Sequence, residues 1–103
     1  MKFKDKPLER LYRSLTTENL WIYILSLLLK EKKHGYIIAN DVRKIFEWEP
    51  GFVTPYIVLY KLEKDGYIKS RVDGRRKYYK ITRKGRKILK LAKRLLKETS
   101  VKL

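Results

Sequence analysis

A chain of 103 residues is enough for one ordinary domain with one core and too short for two. Its 44% hydrophobic and 37% charged residues, with the apolar ones grouped in runs, exclude a disordered chain, and the lack of cysteine excludes disulfides, thiolate metal sites and cysteine nucleophiles. The formal net charge of +16 calls for a polyanionic partner, and it is lopsided: residues 1–66 carry 12 Lys/Arg against 9 Asp/Glu, residues 67–103 carry 15 against 2.

The N-terminal MKFKDKPLER is polar where a secretory signal would be apolar, so no signal peptide is expected. Pro7 opens an amphipathic pattern in which Leu8, Leu11, Tyr12 and Leu15 fall on one face of a helix. Thr16 and Thr17 offer N-caps for a second helix reaching about Lys32. Its run LWIYILSLLL is apolar almost all round. At about 1.5 Å per residue it covers about 15 Å, half a bilayer core, so it predicts a buried central helix and no membrane span. Trp21 belongs to that core.

Lys33-His34-Gly35 reads as a break. His34 is the only imidazole, has no paired nucleophile, and reads as a turn or capping residue rather than a catalytic or metal-binding one. A third helix, Tyr36 to Glu47, turns Ile38, Val42 and Ile45 inward with Phe46, and leaves Asn40, Arg43 and Lys44 outside. Glu49-Pro50-Gly51 reads as a turn, Glu47 and Glu49 as solvated carboxylates, and Trp48 as loop packing.

In TPYIVLYKLEKDGYI, Thr54 is expected to cap a helix, Pro55 to occupy its first position, and Gly66 to end it in the left-handed conformation after about Asp65. Pro55, Val58, Leu59 and Leu62 form its inner face; Tyr56, Ile57, Tyr60, Lys61 and Lys64 form its outer face. RVDGRRKYYKIT then sets an Asp-Gly pair between runs suited to strands, which predicts a hairpin of Tyr67–Val72 and Lys77–Thr82. Alternation turns Ile68, Tyr79 and Ile81 inward and Tyr78 and Lys80 outward. One of Tyr78 and Tyr79 belongs to the core and the other is free to stack on a sugar-phosphate backbone. The like charges of Arg75, Arg76 and Lys77 repel one another at the tip, so local stability does not account for them. Thr82 caps a last helix, Arg83 to about Glu98, with Ile88, Leu91, Leu95 and Leu96 as its stripe.

Three core helices followed by a hairpin predict a mainly α fold with a small β-hairpin, a winged helix-turn-helix. A B-DNA major groove about 12 Å wide admits a helix, whose N-terminal part meets base edges. Residues 54–65 are the expected recognition helix, with Thr54, Tyr56, Tyr60, Lys61 and Lys64 as DNA-binding residues. Asn40, Arg43 and Lys44 on the preceding helix and Arg75, Arg76, Lys77 and Tyr78 on the wing, residues 71–80, complete the expected set.

The chain also resembles, over residues 21–95, the PadR family of winged-helix transcription regulators. The stretches that carry the resemblance are ILSLLLKEKKHGYIIANDVRKIF, TPYIVLYKLEKDGYI and GRRKYYKITRKGRKIL. Within them stand His34-Gly35-Tyr36, Thr54 two residues before Tyr56, Leu62-Glu63-x-x-Gly66, and Arg76-x-Tyr78-Tyr79-x-x-Thr82-x-x-Gly85. The chain departs from the family in Glu47 to Val53, where a short Ser-Pro-Gly is common, and in its short, basic, Trp-free last helix. The resemblance implies a homodimer, with Ile88, Leu91, Leu95 and Leu96 packed against the twofold mate and against Leu8, Leu11 and Leu15 of the partner's first helix. Three extra apolar stripes on so small a domain argue the same way. The expected organisation is an N-terminal extension (1–16), a DNA-binding domain (17–82) and a C-terminal dimerisation helix and tail (83–103).

The expected function is that of a sequence-specific regulator binding double-stranded DNA as a homodimer, a repressor, with the wing on the backbone or minor groove. A non-specific, chromatin-like DNA-binding protein and a winged-helix RNA-binding module remain as alternatives. No enzyme activity, cofactor, metal or membrane partner is expected; a small-molecule effector is compatible with the sequence but not indicated by it. The basic face of the last helix reads as a solvated face, an extra phosphate-contacting surface, or a membrane-surface helix. A cytoplasmic, DNA-associated prokaryotic protein is expected, and the scarcity of thermolabile residues hints at a thermophile.

Overall fold

The computed structural model of the chain describes residues 3–46 and 51–103. In chain order the elements are α1 (Lys6–Leu15), a 3-10 turn (Thr17–Asn19), α2 (Leu20–Leu28), β1 (Lys33–His34), α3 (Gly35–Ile45), α4 (Thr54–Lys64), β2 (Ile68–Asp73), β3 (Arg76–Ile81) and α5 (Arg83–Val101). The expectations for Glu47, Trp48, Glu49 and Pro50 lie outside the described residues. Among the described residues no helix is long and apolar enough to cross a membrane.

Helix α2 is the centre of the fold, because its apolar run has neighbours on most sides. It packs against α3, α4 and α5, and buries Leu20, Ile24, Leu25 and Leu28. Around it close Ile38 and Val42 from α3, Leu59 and Leu62 from α4, Ile68, Tyr79 and Ile81 from the sheet, and Leu89 from α5. Trp21 is half-buried against this cluster. On α3 the inward set is Ile38, Ala39 and Val42, with Phe46 at its end, whereas Ile45 is exposed, contrary to its expected place in the stripe. The reason is helical phase: Ala39 and Val42 sit three apart on the core side, and Ile45 has rotated past it.

The sheet has three antiparallel strands in the order β1-β3-β2. Lys33-His34, expected as a plain break, forms the third strand, with Lys33 opposite Tyr79 and His34 opposite Tyr78. The preceding helix accordingly stops at Leu28, short of Lys32. Two residues are too few to show a period-2 pattern, so only the tertiary pairing reveals the strand.

Helix ends mostly follow their local chemistry. Gly66 has φ 83° after α4, as its place at the helix end requires. Thr82 Oγ1 accepts from the Gly85 N–H at 3.1 Å at the start of α5, a side-chain cap. Two expected caps do not form. The buried Thr16 hydroxyl instead donates to the Tyr12 carbonyl at 2.6 Å, closing the end of α1. Thr54 is itself the first helical residue, and the cap position is Val53, whose carbonyl accepts from the N–H groups of Tyr56 and Ile57. The hairpin is tighter than expected: Asp73 pairs with Arg76, leaving Gly74-Arg75 as the loop, with Gly74 at φ 66°.

Candidate nucleic-acid interface

Helix α4 is clamped by its inner side. Pro55, Leu59 and Leu62 are buried, and Val58 packs against the core. A helix fixed on one side must present the other, and Tyr56, Ile57, Tyr60, Lys61 and Lys64 are all exposed. Tyr60 is the most open of the tyrosines on this face, at 66% exposure against 43% for Tyr56. Tyr56 leans toward the α3 start, where a Cβ on Gly35 would lie 3.5 Å from its ring. Thr54 is the first residue of the helix and is half-buried.

The wing is tied to this helix by a residue that pattern reading left without a role. Glu63 of α4 accepts a hydrogen bond from the Ser70 hydroxyl of β2, and its other oxygen is 3.6 Å from the Lys77 ammonium of β3. One carboxylate therefore holds both strands of the hairpin against α4. Its position in the Leu62-Glu63-x-x-Gly66 motif was the available signal. Lys77 also lies 5.7 Å from the Tyr79 ring centre. It is thus a partly engaged cation on the helix side of the sheet, while Arg75 and Arg76 stand at the exposed tip.

Alternation separates the two adjacent tyrosines. Tyr79 is 8% exposed and belongs to the core. Burial pushes its phenol above the usual value of 10; nearby Lys77 draws it down in part, and Glu63 draws it up. Tyr78 lies on the other face, edge-on to His34 with ring centres 5.6 Å apart and with the Lys32 ammonium 5.4 Å from its ring centre. His34 is buried, stacks on Tyr36, and its Nε2 is 3.5 Å from Arg76 Nη1. His34 thus occupies the cap position of α3, as its capping reading expected, though without a side-chain cap hydrogen bond, and its ring joins the start of α3 to the wing arginine.

The outer face of the sheet opens into a groove of about 640 Å³. Lys32, Lys69, Arg71 and Lys80 line it around Tyr78. These four cations were not among the expected DNA-binding residues, although the outward strand phase of residues 69, 71, 78 and 80 predicts a shared face for three of them, Lys69, Arg71 and Lys80, with Tyr78.

Of the expected residues on α3, Lys44 is exposed, while Asn40 and Arg43 are half-buried and bonded to each other, Arg43 Nη2 donating to Asn40 Oδ1 at 2.6 Å. The Arg43 guanidinium also lies 4.6 Å from the Phe52 ring centre. That contact fastens the segment leading into α4. The described residues hold no group of three or more His, Asp or Glu side chains that would ligate a metal.

The apolar stripes expected for dimerisation stand open. Helix α1 buries no residue; Leu8, Leu11 and Leu15 are exposed at 45%, 53% and 44%. On α5 Leu91, Leu95 and Leu96 are exposed, Ile88 is partly packed on the core, and Leu89, absent from the expected stripe, is the buried anchor.

Comparison with known proteins adds three similarities and a family match. The model of the transcriptional regulator PadR-like family matches residues 24–91. A solved transcriptional regulator from Clostridium thermocellum is 32% identical with a TM-score of 0.70, over 84% of this chain and 90% of that chain. A PadR-like transcriptional regulator from Bacillus cereus is 30% identical with a TM-score of 0.61, over 70% of this chain and 44% of that chain. PadR of Bacillus subtilis, solved in complex with operator DNA, is 26% identical with a TM-score of 0.58, over 71% of this chain and 45% of that chain. The chain thus spans under half the length of the two Bacillus proteins. No curated protein matches it.

Proposed function

The chain belongs to the PadR-like family of transcriptional regulators, which are not enzymes, and on that premise we propose that it binds double-stranded DNA as a homodimeric, sequence-specific repressor. One observation carries this reading: Tyr56, Tyr60, Lys61 and Lys64 stand exposed on a helix that Glu63 ties to a cationic wing. Tyrosine hydroxyls and lysine ammoniums over aliphatic and aromatic bodies suit base edges, thymine methyls and phosphates. The wing tip, Arg75 and Arg76, supplies phosphate or minor-groove contacts, with Tyr78 and the groove behind it following the backbone. Lys44, Asn40 and Arg43 support the approach from α3. The similarity to a PadR solved with operator DNA supports the same partner.

Residues 17–82 are the DNA-binding unit in this reading, and residues 83–103 with residues 1–16 form the dimer. The open stripes on α1 and α5 support it, because contiguous exposed leucines mark an interaction face. Two recognition helices then enter successive major grooves about 34 Å apart on a roughly palindromic site.

The net charge of +16 also favours a second reading, a protein that coats DNA without sequence preference. Selection of bound duplexes from a random library separates the two. One enriched palindrome supports the regulator; a selected pool with no enrichment overturns it in favour of the coating protein. Transcription in vitro from a template bearing the selected site then decides the sign, a fall in transcript being the expected result.

A further inference from the structure

Helix α5 holds eight Lys and Arg residues and one acid, Glu98. At 3.6 residues per turn, Arg83, Lys87, Lys90, Arg94 and Lys97 form one line of roughly 21 Å, and Arg86 and Lys93 widen it. All are exposed, and they lie away from Gly85 and Leu89, which are buried against the core. Among the described residues no carboxylate pairs with any of them. The one α5 cation with a home is Lys84, whose ammonium donates to the Asp65 carbonyl at 2.6 Å and covers the Tyr67 ring.

The simpler uses of this charge do not account for it. Like charges three and four apart weaken a helix. Solubility is served by mixed signs, and thermostability by networks of paired Lys and Glu; neither is present. An interfacial membrane helix inserts a free apolar face bearing Trp, Phe or Leu; α5 has no aromatic residue, buries Leu89 in its own core, and its exposed Leu91, Leu95 and Leu96 are the stripe that the proposed homodimer covers. The same lack of aromatics leaves no platform for single-stranded nucleic acid. A straight, uncompensated cationic ridge is complementary to a duplex phosphate backbone. The ridge also lies apart from the wing tip. Helix α5 starts at the base of the hairpin, where Thr82 donates to the Tyr67 carbonyl, at the opposite end from Gly74-Arg75.

We propose that the ridge Arg83-Lys87-Lys90-Arg94-Lys97 is a second, sequence-independent site for the phosphodiester backbone of duplex DNA, through which the protein captures a second duplex while its recognition helix and wing hold the first. The inference rests on the proposed DNA-binding function for the first duplex only.

The test loads the full chain onto an immobilised random-sequence duplex and measures retention of a second, labelled random-sequence duplex. The wild type retains label. A variant with Lys87→Gln, Lys90→Gln, Arg94→Gln and Lys97→Gln retains roughly tenfold less, while its binding to a single duplex holds. Gln is a good helix former and the change relieves repulsion, so its circular dichroism and melting temperature should match or exceed the wild type's. The proposal is overturned if the wild type captures no second duplex, if the variant captures as much, or if one-duplex binding and capture fall together. Phosphatidylserine vesicles provide a further arm: sedimentation with vesicles that the four changes abolish, with capture intact, would overturn it in favour of a membrane surface. Arg75→Ala with Arg76→Ala tests the first site separately. One-duplex binding unchanged in that variant sinks the wing reading and leaves the ridge standing.

Discussion

Gly85 shows how a single position links the wing to the last helix. A Cβ there would overlap the Tyr67 carbonyl oxygen and sit 2.8 Å from Ile81 Cγ1. That carbonyl cannot retreat, because it accepts from the Thr82 N–H at 3.1 Å and from the Thr82 hydroxyl at 3.0 Å. Gly85→Ala should therefore cost about 2 kcal/mol, read as a fall of roughly 10 °C in melting temperature; an unchanged Tm would mean that α5 shifts freely on the sheet. Tyr79 makes the core sensitive to alkali. Its phenol is raised by burial, so the unfolded chain ionises first as pH climbs past 10. The stabilising contribution is complete below pH about 10 and is lost as pH rises toward the folded value. Urea titrations at neutral and alkaline pH should show a shallower alkaline loss for Tyr79→Phe than for the wild type. Tyr23, also raised by burial and next by Tyr12, accounts for part of the loss that remains.

At the level of elements, the proposed recognition depends on how the wing is set against α4. Glu63 bonds Ser70 and approaches Lys77, so it spans both hairpin strands. Glu63→Gln should change stability by no more than about 1 kcal/mol, since the ion pair is partly exposed. It should nevertheless weaken binding to every duplex, because the wing loses its fixed angle; isothermal titration with matched and random duplexes checks this. Arg75→Ala with Arg76→Ala should lower affinity for all sequences alike and flatten the log–log salt slope by nearly 2, at about 0.9 per phosphate contact. Tyr56→Ala or Lys61→Ala should instead erode discrimination between the selected site and random DNA, with a smaller effect on the salt slope. The hairpin, its turn and the capped start of α5 were legible in the sequence because Asp73-Gly74, Gly66 and Thr82 are local signals. The Glu63 tie was not, because it joins residues seven and fourteen apart through a packing angle that no sequence period records.

The whole molecule is less compact than its length allows. Its radius of gyration is 14.6 Å, with extents of 47 × 28 × 21 Å; a globular chain of this size has a radius of gyration of about 13 Å. The excess matches α1 and the far half of α5, which carry exposed leucines. In the proposed homodimer these faces meet. Leu91→Glu with Leu95→Glu should yield a folded monomer in sedimentation, since these side chains are 48% and 64% exposed and outside the core. A dimer that survives both changes would contradict the α5 interface. If each protomer of the proposed homodimer supplies one recognition helix, the monomeric variant should also bind a palindromic site far more weakly than the wild type.

By itself the sequence determined the order of helices and hairpin, the central apolar helix, the outward face of α4 and the concentration of charge after residue 66. Each of these depends on periodicity, on capping chemistry or on simple counting, which act within a few residues. Tertiary structure decided what those signals leave free. It made Lys33-His34 a strand, buried His34 beside the wing and within reach of Arg76, moved Ile45 out of the core and Leu89 into it, and placed Tyr79 inward while Tyr78 joined a cationic groove. The physical reason is shared: which side of an element faces the core depends on the helices and strands packed against it, and those partners are distant in the chain.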